Sequence, residues 1–434
     1  MQSALWGSQQ SWCHVISFLK LFPLLRVWIL PIAAALILAA AAWVWFFVMK
    51  PLSLKARFVS AFGGAIVLVI VHHLVERVWH PVAEGLGRVT WLWAAPALIA
   101  AVMIIVALFR RRHWIRRFLA GVCAWMLMAI GAALGINYHF EAYPTMAEVV
   151  GGGVQTISWD ELNKPDDAAT LARSAEGAFV RVNIPASDAS FTPRQAIVYL
   201  PPSYFKDPSA QLPVIVLMSG QPGTPQDWLV LGKLPQTMDQ FAARHDGRAP
   251  IIAVVDVYGS QTANPLCSDT SHGKVATYVQ KDVPSWLRAN LPVSSDPGQW
   301  AIAGLSSGGT CALQVVTRAP DLYRSFLDMS GEAHPQLGNE ERTISDGFDG
   351  SRELYEANDP VYLMSHNRYE ESAGIISWGE SDTAFKEGLI EVDHAAEKSG
   401  MSIETRTYPG GHSWKVWSAA FEDGLPWLAQ RFGL

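Results

Sequence analysis

The sequence predicts two joined parts, an N-terminal α-helical transmembrane domain of four spans and a C-terminal α/β domain built on a mostly parallel, doubly wound sheet. Three observations carry this prediction. Four apolar stretches, each close to the ~20 residues a helix needs to cross a bilayer, fall within residues 1–137. The charge changes sign at the same point: of the chain's 33 basic and 39 acidic residues, 12 basic but only two acidic ones (Glu76 and Glu84) precede residue 138, leaving 21 basic and 37 acidic after it. Beyond residue 179, short β-type apolar runs alternate with helical patterns, the signature of strands covered by helices on both faces.

The spans read 28–49, 58–75, 89–109 and 118–136. His72 and His73 interrupt the second near its end, and Gly131 and Gly135 lie in the fourth, where membrane helices tolerate them. The first span is too long for a signal-peptide core and no small-residue cleavage site follows it, so a retained anchor is expected. Orientation follows from Arg110-Arg111-Arg112-His113-Trp114-Ile115-Arg116-Arg117, a short, strongly positive connection that belongs on the cytoplasmic side. Lys50, Lys55 and Arg57 make the first connection positive as well, whereas Arg77 and Arg88 in the second are balanced by Glu76 and Glu84. Everything after about Asn137 is therefore expected outside the cytoplasm. The acidic balance of that part argues against nucleic acid as a partner, since phosphate recognition needs clustered positive charge.

Residues 138–178, with Tyr143-Pro144-Thr145, Gly151-Gly152-Gly153 and the polar run 163–167, read as a linker. The domain proper spans 179–434. Its strand candidates are Gln195–Leu200, Val214–Met218, Ile251–Val257, Trp300–Ala303, Ile375–Trp378 and Ile403–Tyr408, with helices expected over 275–290, 308–318 and 384–399.

Chemistry enters at Gly304-Leu305-Ser306-Ser307-Gly308, a GxSxG sequence lying where an apolar strand turns into a helix. A serine on such a turn projects its hydroxyl out of the backbone, which makes Ser306 the candidate nucleophile; Ser307 lacks the matching glycine frame. A serine hydroxyl needs a positioned base, itself oriented by a carboxylate. In α/β-hydrolases these follow in the order serine, acid, histidine. His412, in Gly410-Gly411-His412-Ser413-Trp414 after the last strand, has the right order and setting. His334 and His366 precede the strand Ile375–Trp378 in an expected lid or insertion, and His394 lies within a helical pattern. For the acid, Asp382 in Gly379-Glu380-Ser381-Asp382 reaches farthest past its strand; Glu380 and Glu387 are alternatives. Backbone N–H groups of Ser307 and of Gln221, in the loop after Val214–Met218, are the candidate oxyanion hole.

The run Ala196-Ile197-Val198-Tyr199-Leu200-Pro201-Pro202-Ser203-Tyr204, the elbow, and His412-Ser413-Trp414-Lys415-Val416-Trp417 resemble the esterase D and antigen 85 mycolyltransferase group of α/β-hydrolases, over roughly residues 180–434. The resemblance implies Ser306 as nucleophile and His412 as base. Its esterase-type members imply Asp382 as the acid, whereas the Phe-x-Glu pattern of mycolyltransferases is imitated by Phe385-Lys386-Glu387. The four-span region sets the chain apart from secreted mycolyltransferases and resembles the multi-span actinobacterial members.

Cys267 and Cys311 fall in the exported part, where an oxidising compartment allows a disulfide; two buried free thiols are the alternative. Cys13 and Cys123 lie in or near membrane segments. His72, His73, Glu76 and His80 recur at helical spacing but read as an interfacial polar cluster, with no metal and no cofactor expected. Trp43, Trp45, Trp79, Trp91, Trp93 and Trp114 near span ends read as interfacial anchors. The expectation is a membrane-anchored, extracytoplasmic serine esterase acting on an amphiphilic ester at the lipid bilayer, such as an acyl or aminoacyl lipid of the cell envelope. Acyl transfer to a sugar or lipid hydroxyl is the alternative, and a non-catalytic envelope binding protein on a hydrolase fold a second one.

Overall fold

The computed structural model describes residues 18–79, 86–109, 114–150, 154–164, 174, 176–207, 209–261 and 263–434. Cys13, His80, Arg110 to His113 and Gly151 to Gly153 lie outside the described residues. The chain divides into two compact units, Met1–Gly153 and Val154–Leu434.

The first unit holds four helices long and apolar enough to span a membrane: α1 (Ile29–Val48), α2 (Leu54–Trp79), α3 (Gly87–Leu108) and α4 (Trp114–Phe140). At 1.5 Å per residue even α1 is about 30 Å long, the thickness of a bilayer's hydrocarbon core. α2 and α4 run several residues beyond their expected bounds at both ends, because helical hydrogen bonding continues through polar flanks that hydropathy excludes. α1 packs on α4, α2 on α3, and α3 on α4. Small residues make these approaches possible: a methyl on Gly131 would press on the Ala33 carbonyl and Ile37, and one on Gly135 would collide with the Trp93 ring. Close van der Waals packing of this kind is how helices apolar on every face associate. Phe46, Phe47, Phe62 and Leu92 point outward and are exposed. Glu76 accepts hydrogen bonds from the Trp91 indole and the Leu86 N–H, and His72 packs against the Trp91 ring.

The second unit is built on a nine-stranded sheet: β1 (Ile157–Ser158), β2 (Ala178–Val182), β3 (Ala196–Leu200), β4 (Val214–Met218), β5 (Ile251–Val255), β6 (Trp300–Leu305), β7 (Ser325–Met329), β8 (Ala373–Gly379) and β9 (Ser402–Tyr408). Their spatial order is β1-β2-β3-β5-β4-β6-β7-β8-β9. β3 runs antiparallel to both its neighbours and every other pairing is parallel. Side chains alternate across the sheet as the pleat requires. Val214, Val216, Met218, Ile302 and Phe326 enter one core, and Ile215, Leu217, Ala301, Ala303 and Leu327 the other. β4 to β8 are buried at every position, as expected for strands covered on both faces. β9, at the edge, presents Glu404 and Arg406 in an ion pair, a charged border that discourages edge-to-edge pairing.

β7 does not stand out in the sequence, because Ser325 and Asp328 break its apolar run; both are fully buried here. The segment expected as a linker is partly structured: it contains the end of α4, β1, which joins the sheet beside β2, and a short helix over Trp159–Leu162 capped by Ser158 and Glu161. The helix expected over 275–290 contains a wide π-turn at Tyr278–Asp282, just ahead of α5 (Val283–Asn290). Pro284, lacking an N–H, cannot continue the preceding register. Four further helices matter for the site: α6 (Ser307–Arg318), α7 (Pro360–His366), α8 (Lys386–Ser399) and α9 (Trp414–Phe432).

Candidate active site

Ser306 sits between the end of β6 and the start of α6 with φ +52° and ψ −132°, a conformation strained for a residue with a side chain. The surroundings hold it there. Its N–H donates to Met329 O of β7 (2.8 Å), and its carbonyl accepts from Gly309 N (2.7 Å) and Thr310 N (3.1 Å) in the first turn of α6. The motif glycines allow strand and helix to meet: a Cβ on Gly304 would collide with the Gly308 carbonyl, and one on Gly308 with Ser219 O.

His412 lies on the loop between β9 and α9. Its Nε2 is 3.0 Å from Ser306 Oγ and its Nδ1 is 2.9 Å from Asp382 Oδ2. These residues are 106 and 30 positions apart in sequence, so the sheet brings them together. The acid and histidine loops are tied by their backbones: Glu380 N donates to Tyr408 O (2.9 Å) and Ser381 N to Gly410 O (2.8 Å). The imidazole is held by rings as well, stacked on Phe385 at 4.0 Å and 12° and met edge-on by Trp417 at 4.8 Å. Ser306 and Asp382 are buried, whereas Glu380 and Glu387 are exposed. Neither alternative acid is the partner of His412. Glu387 occupies the first turn of α8, where a negative charge faces the favourable end of the helix dipole.

The other histidines are engaged elsewhere. His334 Nδ1 bonds to Asp359 Oδ2 at 2.8 Å, which raises its pKa above the ordinary histidine value. His366 Nδ1 contacts the Tyr362 carbonyl at 2.8 Å, and His394 is exposed on α8.

Ser307 opens α6, with its N–H at the helix N-terminus. Gln221 follows Gly220, and a Cβ on Gly220 would lie 2.9 Å from Ser306 Cβ, so this loop runs directly beside the nucleophile position. The Gln221–Pro222 peptide is cis. A bracing network fixes the loop. Arg194 forms a salt bridge with buried Asp256 (2.7 Å) and donates to Gly223 O (2.7 Å). Thr224 N donates to Asp227, whose carboxyl burial pushes up. Asp256 also accepts from Tyr258 N (3.1 Å), and the Tyr258 hydroxyl donates to Ser219 O (3.0 Å) while meeting Ser307 Oγ at 2.7 Å. Arg194, Asp256 and Tyr258 escape sequence reasoning because they match no local motif. The one available signal is the position of Asp256 directly after the apolar run Ile251–Val255, at the strand end where such sites gather.

Cys267 and Cys311 are joined by a disulfide that fastens α6 to the loop after β5; the two-free-thiols alternative does not hold. Among the described residues no group of three or more His, Cys, Asp or Glu side chains is arranged to hold a metal ion.

Known proteins are similar to this chain. The family described as "Putative esterase" matches residues 187–428. An uncharacterized protein of Corynebacterium glutamicum is 34% identical over 373 residues, covering 83% of this chain and 86% of that protein. That is more residues than the 154–434 unit contains, so the similarity extends into the helical unit. The iron(III) enterobactin esterase of Dickeya dadantii is 25% identical over 245 residues, 54% of this chain and about half (52%) of that relative. The solved structure of a ferulic acid esterase superposes with a TM-score of 0.50 at 22% identity, covering 59% of this chain and 98% of that one, a likeness of fold. With four apolar helices ahead of an α/β-hydrolase domain, the chain belongs to this esterase family and is a serine carboxylic ester hydrolase.

Proposed function

We propose that this is a membrane-anchored esterase whose catalytic unit faces the extracytoplasmic side and cleaves carboxylic esters of amphiphilic, lipid-like molecules in the envelope. The observation that carries the reading is the unbroken chain from Ser306 Oγ to His412 Nε2 (3.0 Å) and from His412 Nδ1 to buried Asp382 (2.9 Å). In that arrangement His412 accepts the Ser306 proton as Oγ attacks the ester carbonyl. Asp382 holds the imidazole in the tautomer with hydrogen on Nδ1 and stabilises the imidazolium that forms. The N–H groups of Ser307 and Gln221 receive the oxyanion. His412 then protonates the leaving alkoxide, and water, deprotonated by the same histidine, releases the acid from the acyl-enzyme.

Location supports the substrate class. Four bilayer-length helices precede the domain, and the positive first connection (Lys50, Lys55, Arg57) with Arg116 and Arg117 at the start of α4 favours the cytoplasmic side for those loops, which supports an extracytoplasmic position for residue 154 onward. The mechanism is tested with a fluorophosphonate probe on the detergent-solubilised full chain, alongside Ser306→Ala and Ser307→Ala. Labelling is expected in the parent and in Ser307→Ala and absent in Ser306→Ala. Labelling that survives Ser306→Ala sinks the mechanism, and a parent that never labels favours a binding protein on the same fold.

A further inference from the structure

Beside the elbow lies a narrow cleft that the mechanism above does not use. It is walled by the cleft-facing side of α6 (Ser307, Thr310, Cys311, Gln314), by Tyr258 and by Glu332 from the loop after β7. The space open to the centre of a water-sized sphere is about 10 Å³, room for roughly one water-sized group such as an ammonium or a hydroxyl. Among the described residues Glu332 is the one charged side chain in the lining, with no Lys, Arg or His beside it there.

Glu332 is 8% exposed and rigidly placed. Its N–H donates to Thr310 Oγ1 (2.8 Å), and Thr310 Oγ1 donates to its Oε2 (2.6 Å). Thr310 N in turn donates to the carbonyl of Ser306 (3.1 Å), so the residue that holds the carboxylate lies one helical turn along α6 from the nucleophile. A buried carboxylate without a counter-charge is costly, and burial is tolerated where a cation completes it. The neighbouring acid offers none: Asp328 is fully buried, one of its oxygens accepts from Gly331 N (2.8 Å) and the other has no hydrogen-bond partner among the described residues. Burial, aided by repulsion from Glu332, holds the Asp328 carboxyl up to about 8. Because the Tyr258 hydroxyl spends its hydrogen on Ser219 O, Ser307 Oγ donates to Tyr258 and keeps its lone pairs available. The Glu332 carboxylate and the Ser307 hydroxyl therefore offer acceptors to whatever enters the cleft, beside the amides of Asn264, Gln314 and Gln336.

We propose that Glu332 and this cleft form a recognition site for a primary ammonium group carried by the substrate close to its scissile ester. This rests on the Ser306 mechanism above and adds the chemical class of the group recognised. The ammonium comes either from the acyl part, as in an aminoacyl ester, or from the alcohol part.

Two isosteric pairs separate these sources: ethyl L-alaninate against ethyl isobutyrate, and 4-aminobutyl butyrate against pentyl butyrate, each pair exchanging NH3+ for CH3. The full chain in detergent should hydrolyse the ammonium member of one pair with a kcat/KM at least tenfold above its isostere. That ratio should fall by tenfold or more in Glu332→Gln. A parent that favours neither ammonium ester overturns the site without any variant, and so does a ratio that Glu332→Gln leaves in place. Should Glu332→Gln fail to label with the fluorophosphonate probe, the parent's two ratios alone decide. Ser306→Ala separates the two readings: continued hydrolysis there overturns the mechanism itself, whereas loss of all hydrolysis with no ammonium preference in the parent overturns only the cleft.

Discussion

Asp382→Asn is the most informative single substitution. Asp382 is buried, with its side chain 2% exposed, and lies 2.9 Å from His412 Nδ1, so its charge acts on the imidazolium with little screening. For unit charges about 4 Å apart at an effective dielectric of about 20 the attraction is roughly 4 kcal/mol. Lost only in the transition state, that corresponds to about 10³ in kcat. Asparagine adds a second penalty: its amide can offer N–H to Nδ1, which favours the tautomer with hydrogen on Nε2, the wrong one for accepting the Ser306 proton. Substitution of the equivalent aspartate in a serine-protease triad costs about 10⁴. The expected loss is therefore about 10³–10⁴-fold in kcat, with little change in KM, measured on a short-chain 4-nitrophenyl ester with the detergent-solubilised full chain. Thermal unfolding of the same sample checks that the fold is retained. Glu380→Gln and Glu387→Gln serve as comparisons and should each stay within about threefold, since both side chains are exposed and neither is the partner of His412. A folded Asp382→Asn enzyme keeping more than a tenth of the parental kcat refutes the reasoning, and so does a comparable collapse in Glu387→Gln.

Other consequences follow from the buried groups. Asp328 keeps its proton in the folded state up to about pH 8 but loses it when unfolded near the ordinary value of 3.8. The folded state thus holds the extra proton, and stability falls as pH rises through that window. Asp328→Asn should remove the decline, giving a higher melting temperature than the parent at pH 8.5 and a smaller difference at pH 5; equal pH slopes would contradict this. His334 gives the same direction of pH dependence from a favourable contact rather than a burial penalty: its hydrogen bond to Asp359 raises its pKa above 6.5, so its stabilisation is full below that value and is lost as pH rises through the folded pKa. His334→Gln should therefore lower the melting temperature more at pH 5.5 than at pH 9. The Cys267–Cys311 bond closes a loop with a sequence separation of 44, for which chain-entropy reasoning gives about 4 kcal/mol at most, and about 2–4 in practice. Cys267→Ser with Cys311→Ser should lower the melting temperature in non-reducing buffer, while a reductant should lower that of the parent but not of the double variant.

Local patterns reveal much of this architecture because they depend on neighbours in the chain. Bilayer-length apolar runs mark α1 to α4, and alternating apolar runs mark the central strands β4, β5, β6 and β8. The elbow is legible for the same reason: Gly304, Ser306 and Gly308 meet their steric demands within five residues. β7 is hidden because its polar members Ser325 and Asp328 are buried by tertiary contacts, which no alternation rule registers. β1 is hidden by its length of two residues, too short to carry a period.

Among Glu380, Asp382 and Glu387 the sequence ranks the candidates by reach past a strand end, but proximity to His412 depends on how two loops 30 residues apart are tied together. Backbone bonds from Glu380 and Ser381 to Tyr408 and Gly410 turn Asp382 inward and leave the other two in solvent. The same holds for the Arg194–Asp256 brace, for the pairing of Cys267 with Cys311, and for Glu332 against Thr310. What the sequence alone determined is the two-part plan, a four-span helical region before an esterase-type α/β domain, together with the serine and histidine on their distinctive turns. Tertiary contacts alone settle which carboxylate meets the histidine, which cysteines join, and that Glu332 is held on Thr310, one turn of α6 beyond the nucleophile. The physical reason is that periodicity and turn chemistry are local, whereas burial and charge compensation are set by residues brought together from distant parts of the chain.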